Sequence, residues 1–128
     1  MSFRWISKKA VIAIHHEQLT LHGGMSGIRD EGLLESALSR PQNLSVYEGA
    51  ELYRCAAAYA FGITRNHPFN DGNKRTGFVT AVTFLLLNNH YITASETDVF
   101  LTITQLAEGN LSEEQLTTWF HEMTIPLS

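Results

Sequence analysis

The chain carries a single cysteine, Cys55, so no internal disulfide can form. It also lacks a basic run: 13 acidic residues against 9 basic ones leave a formal charge of −4, the wrong balance for a domain that lives on phosphate backbones. Direct nucleic-acid binding is therefore not expected, and any phosphate must be held by local groups. No apolar stretch approaches the roughly 20 residues that span a bilayer, and the N-terminal MSFRWISKKAVIAI has too short an apolar stretch for a secretory signal. Together these absences point to a reducing cytoplasm and no membrane association. Repeats, linkers and low-complexity segments are missing as well. What is present, 128 residues of which 44% are apolar and 17% charged, suffices for one core, so one domain over residues 1–128 is expected.

The pattern along the chain is predominantly helical. FRWI at the start is compatible with a short strand. Ser7 then precedes KKAVIAIHHEQLTLH, where Val11, Ile14, Gln18 and Leu21 recur at helical spacing before Gly23 and Gly24. Asp30 caps a second helix, EGLLESALSR, which Pro41 is expected to end, with a loop to about Ser45. GAELYRCAAAYAFGITR reads as a third helix with Leu52, Cys55 or Ala56, Tyr59 and Ile63 on one face. From Asn73, KRTGFVTAVTFLLLNN is apolar on all sides, the mark of a buried central helix. YITA is compatible with a second short strand. Ser95 starts a helix that Gly109 ends, and a capping box of Ser112 with Gln115, flanked by Leu111 and Leu116, starts the last.

Between the third and fourth helices lies NHPFNDGNKRTGF, residues 66–78. His67 is the side chain best suited to take a proton near neutral pH. Asp71, four residues on, is a hard oxygen ligand, and one carboxylate plus substrate phosphates is a usual way to hold Mg²⁺. Gly72 lets the backbone approach a ligand, Asn73 opens the helix, and Lys74 and Arg75 place cations beside the positive end of its dipole. Each residue alone also fits an ordinary turn, a cap or a solvated first turn. The two cations weigh against that reading, because they oppose the helix dipole unless an anion is present. A base, a metal ligand and a phosphate cradle are the parts that phosphoryl or nucleotidyl transfer requires.

HPFNDGNKR resembles the signature H-x-F-x-[DE]-[GA]-N-x-R of the Fic/Doc family, with His67, Phe69, Asp71, Gly72, Asn73 and Arg75 matching. At average usage of about 5% per residue, six fixed positions arise by chance roughly once in 10⁷ to 10⁸ start points. GGMSGIRDEGLLESALSRPQ is similar to a segment of the Doc (death on curing) toxins, and the helical order matches over nearly the whole chain. The resemblance implies an all-α Fic/Doc-like bundle with at most one or two very short strands. Adenylyl-transferring members continue G-N-G-R-x-x-R, whereas this chain has Lys74 and Phe78 at the third and last of those positions. Doc toxins share both departures, which implies a reversed ATP whose γ-phosphoryl group goes to a protein hydroxyl, the family substrate being a threonine of translation elongation factor Tu. By position, His67 is then the base, Asp71 the Mg²⁺ ligand, and Gly72, Asn73, Lys74 and Arg75 the nucleotide and phosphate contacts, with Phe69 a core anchor. The family also implies a Phd-like antitoxin whose disordered segment folds on the cleft, offering acidic groups to Arg65, Lys74 or Arg75.

Other features carry less. TQLAEG, residues 104–109, fits an inhibitory pattern of some Fic proteins, but its glutamate works on the arginine that Phe78 replaces, so Glu108-Gly109 reads as a helix end. His15, His16 and His22 lack the spacing that puts two imidazoles on one helix face and read as surface residues. Cys55 reads as a small core residue. Arg29 belongs to a helix-starting turn and is long enough to reach the cleft. The alternatives to a phosphotransferase are a nucleotidyl (AMP) transferase and a non-catalytic module that binds a peptide in its cleft.

Overall fold

The computed structural model describes residues 2–127. Its elements run α1 (Lys8–His22), α2 (Glu31–Glu48), α3 (Leu52–Asn66), α4 (Asn73–Leu87), β1 (His90–Ile92), α5 (Glu96–Ala107), α6 (Glu113–Glu122) and β2 (Thr124–Pro126). The fold is helical, as the pattern requires. β1 and β2 make one antiparallel pair, with Tyr91 opposite Ile125, which ties the chain end to the exit of α4.

α3 and α4 form the centre. Every residue of α3 from Cys55 to Ala60 is buried, and its run of alanines leaves room for close neighbours. α4 answers with Gly77, where an added Cβ would stand 2.9 Å from the Ala60 carbonyl oxygen and 3.0 Å from Thr64 Oγ1. The two helices therefore cross almost backbone to backbone. α4 is not buried all round, however: Leu86 and Leu87 are exposed at its last turn, and the buried side is Asn73, Thr76, Gly77, Phe78, Thr80, Ala81, Phe84 and Leu85.

Three boundaries differ from the sequence pattern. FRWI is not a strand, because no strand lies beside it. Its side chains hold it instead: Trp5 stacks on Phe84 at 5.4 Å, and the Ile6 N–H donates to the Tyr59 hydroxyl at 3.1 Å. Pro41 does not end α2, which continues to Glu48. A proline inside a helix costs about 3 kcal/mol, but the extra turns bury both Pro41 and Leu44, and a buried leucine alone contributes about 1.5–3 kcal/mol. Gly49, at φ 64°, closes the helix instead. In α1 the buried residues are Val11, His15 and Gln18, while Leu21 is exposed, so the inward stripe runs through a histidine rather than Ile14 and Leu21.

Capping separates one helix from the rest. Ser7, Asp30, Glu51, Ser95 and Ser112 each accept a backbone N–H with the side chain at the start of α1, α2, α3, α5 and α6, and Ser112 with Gln115 forms the full capping box. α4 begins at Gly72 with no side-chain cap at all.

The helix crossing gives a test. Gly77→Ala gains up to about 1 kcal/mol of helix propensity, but its methyl meets a backbone carbonyl that cannot move aside, and overpacking costs about 1–3 kcal/mol. Urea unfolding is expected to show a net loss. Gly32→Ala, in α2 with only an ordinary 3.5 Å neighbour, is expected to be neutral or slightly stabilising.

Candidate functional site

The turn from α3 into α4 is built around two residues in left-handed backbone, His67 (φ 53°) and Gly72 (φ 76°). Glycine adopts that conformation freely, but histidine does so at a cost, which its surroundings must offset. Arg29 supplies part of the hold. Its Nε donates to the His67 carbonyl at 2.7 Å and its terminal amine to the Asn66 carbonyl at 3.0 Å, a cation on the negative end of α3. Arg29 therefore reaches the loop, yet it serves the backbone behind the cleft. The preceding segment is sewn to the same loop: Arg29 and Asp30 N–H donate to the Pro68 carbonyl, Asn70 N–H donates to the Gly27 carbonyl, and Ile28 bridges Phe69.

Asn73 locks the loop from the other side. Its Oδ1 accepts the Phe69 N–H at 2.9 Å, and its Nδ2 donates to the Phe69 carbonyl at 2.9 Å and to His67 Nδ1 at 2.8 Å. The Phe69 N–H needs an acceptor, which sets the orientation of the amide. His67 Nδ1 must then accept, and the neutral ring carries its proton on Nε2. Proton abstraction by His67 thus requires the ring to release Asn73 or to turn. The side chain of Asn73, 4% exposed, is spent within the loop, so the phosphate contact expected of it can come only from its backbone N–H.

Asp71 is exposed and held at two points. Its Oδ2 accepts the Met25 N–H at 2.8 Å, and its backbone carbonyl accepts from His15 Nε2 at 2.8 Å; Oδ1 has no partner among the described residues. Around it opens a cavity of about 380 Å³ lined by His67, Asp71, Gly72, Asn73, Lys74 and Arg75, together with Gly23, Gly24, Thr64 and Ala107. All six residues picked from the sequence motif thus share one cleft. Into it faces the uncapped start of α4, where the N–H groups of Asn73, Lys74 and Arg75 have no carbonyl a turn earlier to bond. Neither Lys74 nor Arg75 makes an ion pair among the described residues. An anion would satisfy this arrangement, and helix N-termini of this kind bind phosphate.

Two further observations bear on ATP and Mg²⁺. Thr64 lines the cleft, but its hydroxyl is buried against Gly77 of α4 and has no hydrogen-bond partner among the described residues. Gly23 also lines the space, and a Cβ there would meet no protein atom within 4 Å. The site therefore fits a phosphate-bearing ligand. No three His, Cys, Asp or Glu side chains converge among the described residues, so a metal here would be shared between Asp71 and ligand oxygens.

Phe78 does not line the cleft. It is buried in an aromatic cluster, 5.8 Å from both Trp119 and Phe120. Arg65 is likewise outside, lying over the Phe61 ring at 5.2 Å. Beside the cleft and sharing Arg75 with it runs an apolar groove of about 510 Å³, whose walls include Phe78, Val79, Val82, Val99, Phe100 and Ile103. Cys55 is buried, which pushes its thiol up to about 11, too high for a thiolate nucleophile. His16 and His22 are exposed as expected, but His15 is 5% exposed and stacks on Phe69 at 3.8 Å. Sequence spacing gave no sign of that role, because the partner ring lies on another element.

The fold and this loop define a Fic-type domain, and the chain belongs to the Fic/DOC family, whose model matches residues 5–85. Within that family it is similar to Protein kinase doc of Escherichia phage P1, 37% identical over 86 residues, which are 66% of this chain and 68% of that protein. It is also similar to Toxin Doc of Mycolicibacterium smegmatis, 43% identical over 76 residues, 56% of this chain and 57% of that protein.

The Asn73 clamp is open to measurement. Asn73→Ala leaves the buried Phe69 N–H and carbonyl unpartnered, at a cost of about 2–3 kcal/mol, and a clearly lower melting temperature is expected. An unchanged melting temperature would show that the side chain serves a ligand instead.

Proposed function

We propose that the chain is a Doc-type toxin that transfers the γ-phosphoryl group of ATP, with Mg²⁺, to a serine or threonine hydroxyl of a target protein, translation elongation factor Tu, and so arrests translation. The carrying observation is the bare, doubly cationic start of α4 opening into the same cleft as His67 and Asp71. The names of the two relatives, a protein kinase and a toxin, support the reading.

In this reading the β- and γ-phosphates lie against the N–H groups of residues 73–75, Lys74 and Arg75. Asp71 Oδ1 would hold Mg²⁺, which neutralises charge that develops on the phosphate oxygens. The target hydroxyl enters beside His67. Its oxygen forms a bond to the γ-phosphorus as the bond to the β–γ bridging oxygen breaks, its proton passes to His67 Nδ1 once the ring has released Asn73, and ADP leaves with the electron pair of the broken bond. Positioning supplies most of the rate, with general base help of about 10²- to 10⁴-fold.

Phosphoryl rather than adenylyl transfer is favoured by Phe78. The position where adenylyl transferases carry a second arginine is here a buried aromatic turned away from the cleft, so no cation holds a phosphate at that end. A Phd-like antitoxin fits the adjoining groove. An amphipathic segment laid over Val79, Val82 and Phe100 would bring its acidic residues to Arg75 and Lys74 and close the cleft.

Incubation with ATP labelled at the α or the γ position decides the chemistry. Label from the γ position is expected on elongation factor Tu and label from the α position is not; robust α transfer would mean a nucleotidyl transferase, and no transfer a binding module. His67→Ala is expected to remove at least about 10²-fold of the activity with little change in melting temperature. Phe78→Arg is expected to destabilise the fold by about 2 kcal/mol or more without conferring α transfer. Expression of the chain alone should arrest growth, and co-expression of the neighbouring small gene should restore it.

A further inference from the structure

We infer that His15, on α1 and outside the sequence motif, is a positioning residue for the metal-binding carboxylate of Asp71. The inference rests on the proposed role of Asp71 as the Mg²⁺ ligand. His15 is buried, and its ring makes two contacts with the loop. One face lies parallel to Phe69, with ring centroids 3.8 Å apart and planes 8° from parallel. Its Nε2 stands 2.8 Å from the Asp71 carbonyl oxygen, and because a carbonyl only accepts, Nε2 must carry the proton and donate. The same ring also meets the next residue: a Cβ on Gly72 would lie 3.6 Å from His15 Cδ2.

One side chain thus touches Phe69 and Asp71 and lies beside Gly72, the three loop residues that set where the Asp71 carboxylate points and where α4 starts. The Met25 N–H holds the carboxylate itself through Oδ2, so the hydrogen bond from His15 fixes the backbone and leaves Oδ1 free. Groups of this kind around a metal ligand typically account for 10- to 100-fold in metal affinity. The donor and the stacking face separate chemically. Phenylalanine keeps the face and loses the donor, whereas glutamine carries an amide N–H about where Nε2 stands.

The test is Mn²⁺ binding in the presence of ATP, read from the enhancement of water-proton relaxation that protein-bound Mn²⁺ gives over Mn²⁺–ATP alone, alongside metal-free melting curves. It is run on the unmutated chain, His15→Phe, His15→Gln and Asp71→Ala at a temperature where all are folded. His15→Phe is expected to weaken Mn²⁺ binding about 10-fold or more, and His15→Gln to recover most of it. If His15→Phe does not fold, His15→Asn, whose amide is too short to reach the carbonyl, takes its place. A folded variant lacking the donor that binds Mn²⁺ within twofold of the unmutated chain, while Asp71→Ala loses binding, overturns this role alone. Unchanged binding by Asp71→Ala overturns the metal reading and this inference with it.

Discussion

The side-chain amide of Asn73 is the joint on which the site depends. By pairing with both backbone groups of Phe69 it fastens the loop to the first turn of α4, and every other arrangement in the cleft follows from that attachment. Phe69 is drawn into the core, where it is 1% exposed. His67 and Asp71, two residues to either side of Phe69, are exposed and line the same cleft. The cap position of α4 falls to Gly72, which has no side chain to offer. An uncapped N-terminus is ordinarily a defect of about 1 kcal/mol. Here it leaves three N–H groups at the cleft with no side chain standing in the way of an anion.

Charge follows the same logic at a larger scale. The chain as a whole is acidic, at −4, so it has no general attraction for polyanions. In the cleft, positive charge gathers at one helix turn, where Lys74, Arg75 and the dipole of α4 act together. Such a focus favours a small, highly charged ligand over an extended one. That is the behaviour wanted of a site for nucleotide phosphates.

How much of this was legible in the sequence depended on whether the cause was local. Capping is decided within four residues, and Ser7, Asp30, Ser95 and Ser112 were all readable as helix starts. The cleft was readable too, since its six motif residues lie within nine positions and a loop between two helices must bring them together. What escaped was settled by partners far along the chain. Pro41 looked like a stop because the gain that carries α2 past it, burial of Leu44, comes from the tertiary core. FRWI resembled a strand because apolar and polar residues alternate there, but alternation does not supply a partner strand, and Phe84 took the aromatic side chains instead. His15 read as a surface residue and Arg29 as part of a turn long enough to reach the cleft, because nothing in their own helix or turn shows that a loop 56 and 38 positions later will need one as a ring to stack on and the other as a cation for its carbonyls.

The aromatic at position 78 shows how one substitution links the core to the choice of chemistry. An arginine there would need solvent or an anion, and would keep that face of α4 wet. Phenylalanine instead packs on Trp119 and Phe120, so α6 closes against α4 and the face becomes part of the core. The cleft then ends at the first turn of the helix. A triphosphate can be neutralised only where cations remain, at Lys74 and Arg75, and the phosphates held there are the ones whose bonds are exposed to His67. If those are the β- and γ-phosphates, the proposed transfer of the γ-phosphoryl group follows from where the core stops and the charge begins.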